Sequence, residues 1–98
     1  MNKIIRILVL CLFLPLSLSA NKAVADSAYL NQQYDTAIQQ YDHVLSESPN
    51  STVYYNLGNA YYRSDNIPKA IICYERAHIY SPDDNDILFN LELARSKT

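Results

Sequence analysis

Glycine is almost missing from this sequence: its 98 residues contain one, Gly58. A loop that cradles phosphate needs several, so that backbone N–H groups can close on the anion, and nucleotide chemistry of that kind is excluded. Tryptophan is absent, and cysteine occurs only as Cys11 and Cys73. Cys11 lies in an apolar leader that is expected to be removed, which leaves one thiol and no intramolecular disulfide. Neither His43 nor His78 has a second ligand at metal-site spacing, and no nucleophile motif occurs. The expectation is a protein that is not an enzyme, with no metal, no cofactor and no small-molecule substrate.

Basic residues are also scarce. Beyond the leader, six Lys and Arg stand against ten dispersed Asp and Glu, a net charge of −4. Nucleic acid is bound through basic patches that displace counterions, so no nucleic-acid partner is expected. Adsorption to an anionic membrane surface is disfavoured for the same reason.

The leader itself, residues 1–20, reads as a secretory signal. Lys3 and Arg6 give a positive start, Ile7 to Leu14 is unbroken apolar chain, and Ser17, Ser19 and Ala20 are the small residues that signal peptidase needs. The run falls short of the roughly 20 apolar residues that span a bilayer. Ala23-Val24-Ala25 fits the cleavage rule best, but a cut there would remove part of the first helix, so cleavage is expected close to Ala20. Leu10 is bulky where a lipoprotein signal has a small residue, which argues against a lipid anchor on Cys11. An exported, periplasmic protein follows, with a folded part of about 78 residues, residues 21–98.

That folded part repeats. Shifted by 33 residues, Ala25 falls on Gly58, Tyr29 on Tyr62, Ala37 on Ala70, Tyr41 on Tyr74 and Pro49 on Pro82. Shifted by 34, Tyr54 to Leu57 and Ala60 fall on Leu88 to Leu91 and Ala94. Within each unit the apolar residues recur at helical spacing: Tyr54, Leu57, Gly58 and Tyr61, then Ile67, Ala70, Ile71, Tyr74 and Ala77. Arg63 to Asn66 is a polar turn, Pro68 fits the first turn of a helix, and Pro49 and Pro82 end helices. Asp83 is the expected N-cap of the last helix. The predicted fold is all-α: antiparallel helical hairpins in a short solenoid, repeat one at about 21–50, repeat two at about 51–83 and a terminal helix at about 84–97. Tyr34, Tyr41, Tyr54, Tyr61 and Tyr74 are the predicted aromatic core. A mid-helix glycine costs roughly 1 kcal/mol against alanine, so Gly58 implies close helix approach, with Ala25 in the equivalent place. Cys73, between Ile72 and Tyr74, reads as a small packed hydrophobe.

The runs YYNLGNAYY (Tyr54–Tyr62) and IPKAIICYERA (Ile67–Ala77), followed by Ser81-Pro82, closely resemble the tetratricopeptide repeat consensus. That resemblance implies a concave groove lined by first-helix positions: Lys22, Asp26 and Tyr29, then Tyr55, Asn59, Tyr62 and Arg63, then Phe89 and Asn90. It implies a protein or peptide partner held there, since tyrosine and arginine carry much of the energy of interfaces. A chaperone's terminal carboxylate is excluded, because Asp26, Phe89 and Leu93 stand where that clamp needs donors. The leader, two repeats and DILFNLELARSK (Asp86–Lys97) also resemble the amino-terminal part of the BatE family of aerotolerance-related exported proteins of Bacteroidetes. Members of that family continue into membrane helices, so membrane anchoring is expected only if a downstream region is missing. The other class of function is a structural assembly segment that self-associates or docks on such a region through its exposed terminal helix.

Overall fold

The computed structural model describes residues 21–98; the leader at 1–20 and its cleavage near Ala20 lie outside the described residues. Five helices follow: α1 Lys22–Leu30, α2 Tyr34–Glu47, α3 Ser51–Arg63, α4 Ile67–Tyr80 and α5 Asn85–Arg95. No strand occurs among the described residues. Consecutive helices pack on one another, α1 on α2, α2 on α3, α3 on α4 and α4 on α5, with a lighter contact between α1 and α3.

Local chemistry sets the helix starts. Asn21 Oδ1 accepts from the Val24 N–H at 2.8 Å, Asn50 Oδ1 from Val53 at 2.9 Å and Asn66 Oδ1 from Lys69 at 3.3 Å. The last helix departs from expectation. Its N-cap is Asp84, which accepts from Asp86 at 2.9 Å and Ile87 at 3.3 Å, not Asp83. The Asp84 N–H closes a turn onto the Ser81 carbonyl at 3.2 Å, which spends Asp83 inside the turn and delays the helix by one residue.

Both hairpin turns use the same device. After α1, the Gln33 N–H reaches the Ala28 carbonyl at 2.9 Å and Gln32 reaches Tyr29 at 3.0 Å; after α3, Asn66 reaches Tyr61 at 2.8 Å and Asp65 reaches Tyr62 at 3.1 Å. This is the Schellman closure, which places one residue in the left-handed region. Here those residues are Gln32, with φ 60°, and Asp65, with φ 65°, instead of glycine.

Alanine fills the crossings: Ala25, Ala37, Ala60, Ala70, Ala77 and Ala94 are completely buried. Among the largest fully buried side chains are Tyr41 and Tyr74. Tyr34, Tyr54 and Tyr61, expected in the core, are only half-buried. Their rings lie at the margin instead, Tyr34 edge-on to Tyr29, Tyr54 stacked with Tyr80 and Tyr61 beneath Lys69. Ile87, Leu91 and Ala94 seat α5 on repeat two, leaving Leu88, Phe89 and Leu93 exposed. At the place of Gly58 and Tyr61 in repeat two, α5 carries Glu92 and Arg95, and Arg95 bonds Glu75 of α4 at 3.1 Å. Glu92 and Arg95 thus border an outer side of α5 on which Phe89 stands exposed.

Gly58 is the tightest point. A Cβ added there would stand 2.6 Å from Cε1 and 2.7 Å from Cδ1 of Tyr74. Glycine is retained because the Tyr74 ring lies directly on the α3 backbone.

Candidate functional site

Each tyrosine buried in a second helix reaches back to a polar residue of its first helix. The Tyr41 hydroxyl donates to Asp26 Oδ1 and the Tyr74 hydroxyl to Asn59 Oδ1, the latter at 2.6 Å. Both bonds span 15 residues, and Asp26 and Asn59 are themselves 33 apart, so one motif is used twice.

The motif is completed differently in each repeat. In repeat one, Lys22 donates to Asp26 at 2.7 Å from one turn earlier on α1. Burial pushes the Asp26 carboxyl up, but its bonds from Lys22 and Tyr41 outweigh that and hold it below the ordinary value. Burial, then the neighbouring Asp26, push Tyr41 far up, so the phenol keeps its proton and acts as donor. In repeat two no charge is involved. Asn90 of α5 donates to the Tyr55 hydroxyl at 2.9 Å and to Asn59 Oδ1 at 3.1 Å, while burial keeps Tyr74 protonated.

These bonds decide which groups remain for a ligand. Asn59 Oδ1 already accepts twice, from Tyr74 and Asn90, and both N–H bonds of the Asn90 amide are directed to α3. The Asn59 amide nitrogen and the Asn90 carbonyl oxygen have no partner among the described residues and are not enclosed. The two adjacent amides thus offer a donor and an acceptor, the pair that the N–H and C=O of one residue of an extended chain require.

Two clefts open on the face shared by α1, α3 and α5. One, of about 320 Å³, is lined by Asp26, Tyr29, Leu30, Tyr41, Asn56 and Asn59; the other, of about 190 Å³, by Tyr62, Arg63, Tyr74, Asn90 and Leu93. Tyr29 meets Tyr34 edge-on at 5.6 Å, and the neighbouring Tyr29 raises the Arg63 pKa above its ordinary value. Of the residues singled out in the sequence, Asp26, Tyr29, Asn59, Tyr62, Arg63 and Asn90 line the clefts. Lys22 and Tyr55 join them through hydrogen bonds. Phe89 lines neither and is 66% exposed. Asn56 was not anticipated, although it aligns with Asn90 at the 34-residue shift.

One expectation needs correction. Helical spacing predicts Tyr55, Asn59, Tyr62 and Arg63 on a stripe apart from Tyr54, Leu57, Gly58 and Tyr61, on which folding should not depend heavily. Instead Asn59 holds the hydroxyl of buried Tyr74, and the Tyr55 ring lies 5.9 Å from the Tyr74 ring. The stripes are adjacent on the helix, and tyrosine is long enough to bridge them.

Cys73 is 5% exposed, and burial pushes its thiol up to about 11, which suits packing rather than reactivity. Among the described residues no group of three His, Cys, Asp or Glu could hold a metal ion, and no helix is long and apolar enough to cross a membrane.

Stacked antiparallel hairpins with an inner polar-aromatic face define a helical-repeat protein of the kind that in general mediates protein–protein interaction. Two tetratricopeptide repeat family models match it, at residues 24–51 and 51–84, and the chain belongs to that family. A comparison with curated proteins finds no match.

Proposed function

We propose that this chain is an exported interaction module that holds an extended peptide or loop of a protein partner along the face of α1, α3 and α5. The observation that carries the reading is the unpartnered Asn59 amide nitrogen beside the unpartnered Asn90 carbonyl, between the two clefts. Asn56, whose side chain makes no hydrogen bond among the described residues, extends that polar track, and Tyr29 and Tyr62 supply apolar area with hydroxyl ends. Asp26 opposes a ligand carboxylate, so the bound segment is internal rather than a free carboxy-terminus. Export rests on the leader, and the aerotolerance setting on the BatE-like ending of the chain.

Photo-crosslinking tests the groove. A benzoylphenylalanine at Asn56 or Tyr62 should capture a discrete protein in the cell envelope, while one at exposed Gln39, which lines neither cleft, should not. Equal capture from all three positions would end the proposal. Retention of residues 1–20 on the mature protein would count against export.

Assembly through α5 is the second reading, favoured by exposed Phe89. Glu92 at the Gly58 place opposes a close hairpin partner for α5, so any such assembly needs a different seat.

A further inference from the structure

The outer side of the stack holds a cleft that the peptide reading does not use. Its volume is about 430 Å³, and Leu45, Leu57, Ile72 and Cys73 make it apolar. Two aromatic rings of α3 line it, each beneath a cation from α4: Lys69 Nζ lies 5.6 Å from the Tyr61 centroid, and the Arg76 guanidinium 6.0 Å from that of Tyr54. Lys69 and Arg76 are seven residues apart on one helix stripe, about 10.5 Å along the axis. Asp42 is the only carboxylate in the lining. In a folded part with net charge −4, this is a place where cations outnumber acids over an apolar floor.

A complementary surface exists on the same molecule. The outer side of α5 carries Phe89, flanked by Asp86 three residues before it and Glu92 three residues after it. Phe89 is 66% exposed, and both carboxylates are exposed. Asp86 and Glu92 are about 9 Å apart along the helix axis and stand on opposite flanks of Phe89, which lies between them around the helix. Arg95 does not neutralise them, because it is bonded to Glu75. Buried Ile87, Leu91 and Ala94 fix α5 on its own repeat two with this side turned away, so the helix cannot fill the cleft of its own chain.

We propose that the outer cleft is the seat for α5 of a second copy of this chain, with Phe89 entering between Tyr54 and Tyr61 while Asp86 and Glu92 meet Lys69 and Arg76. The contact joins different surfaces, cleft against helix; formed reciprocally about a two-fold axis it gives a closed dimer, and formed one way only it extends from copy to copy. Apolar insertion supplies the affinity, and the rim charges set register and salt dependence.

Sedimentation equilibrium on the purified protein tests this. Self-association should appear as concentration rises and weaken with added salt. Phe89→Ala, the double change Lys69→Glu with Arg76→Glu, and the double change Asp86→Lys with Glu92→Lys should each raise Kd about tenfold or more, the scale of a lost interface anchor. Circular dichroism confirms that each variant is folded. The decisive sample is an equimolar mixture of the two charge-reversed chains, in which every cleft again faces a helix of opposite charge; it should associate as the parent does. A parent that stays monomeric at every concentration overturns the proposal, as does a mixture that stays monomeric or an association that none of the changes weakens.

Discussion

Repeat one and repeat two solve one problem in two ways. Both bury a tyrosine from the second helix under the first, and both give its hydroxyl an acceptor one position after the small residue on which the ring lies. Repeat one uses Ala25 and a carboxylate, Asp26, neutralised within its own helix by Lys22. Repeat two uses Gly58 and a neutral amide, Asn59, and borrows Asn90 from the next helix. The first arrangement is self-contained. The second ties the aromatic core of a repeat to its neighbour, adding polar links from Asn90 to Asn59 and Tyr55 to the apolar seat of α5.

The largest expected effect breaks the difference at the small residue. Gly58→Leu should cost about 3 kcal/mol, the upper end of overpacking, and Gly58→Ala about 1–2 kcal/mol even though alanine is the better helix former. The sequence alone predicts a mild alanine variant, because Ala25 fills the equivalent place; the 2.6 Å approach of Tyr74 removes that expectation. Urea denaturation decides, and an alanine variant as stable as the parent would show that the ring can move aside.

Next comes the acceptor. Asn59→Ala leaves a buried tyrosine hydroxyl without a partner, which should cost about 1–3 kcal/mol. Hydrogen exchange sharpens the comparison: protection in α4 and α5 should fall, while α1 and α2 keep theirs. Uniform loss would mean that the two repeats unfold as one unit.

The turns should give a gain. Gln32→Gly and Asp65→Gly relieve a left-handed conformation worth roughly 1 kcal/mol each, set against the entropy of glycine in the unfolded chain. Thermal melts should rise for both by similar amounts, since the turns are alike.

The smallest effect is electrostatic. The lowered Asp26 pKa contributes stability above its unfolded value of about 3.8, and that stability is lost as pH falls through the folded value. The Lys22–Asp26 side chains are 42% and 37% exposed, so solvent screening holds the contribution to a few tenths of a kcal/mol. Asp26→Asn, which copies repeat two, should remove this acid-limb dependence; an unchanged acid limb would assign it to other carboxylates.

Much of this was legible in advance. Apolar spacing located the helices, and the 33-residue shift paired Tyr41 with Tyr74 and Ala25 with Gly58, because periodic burial leaves periodic residues. The seat of α5 was legible too, through Ile87, Leu91 and Ala94. The Asn90 bonds were not, since they span 31 and 35 residues and belong to no repeat period. Nor was the Asp84 cap, where two adjacent aspartates compete and a turn hydrogen bond selects between them. Asn56 left a signal, its alignment with Asn90, but that residue's own role depended on bonds that only the folded hairpins create.

Cys73 has a practical consequence of another kind. With a pKa of about 11, roughly one thiol in ten thousand is ionised at neutral pH, and the folded protein shields even that fraction. Cys73 lies in the lining of the outer cleft with only 5% of its surface exposed, so an alkylating reagent should mark it faster whenever the α3–α4 interface loosens. The one thiol among the described residues is a built-in stopwatch: its labelling rate reports openings of the repeat-two core, and a ligand or second copy that holds the core shut should slow it.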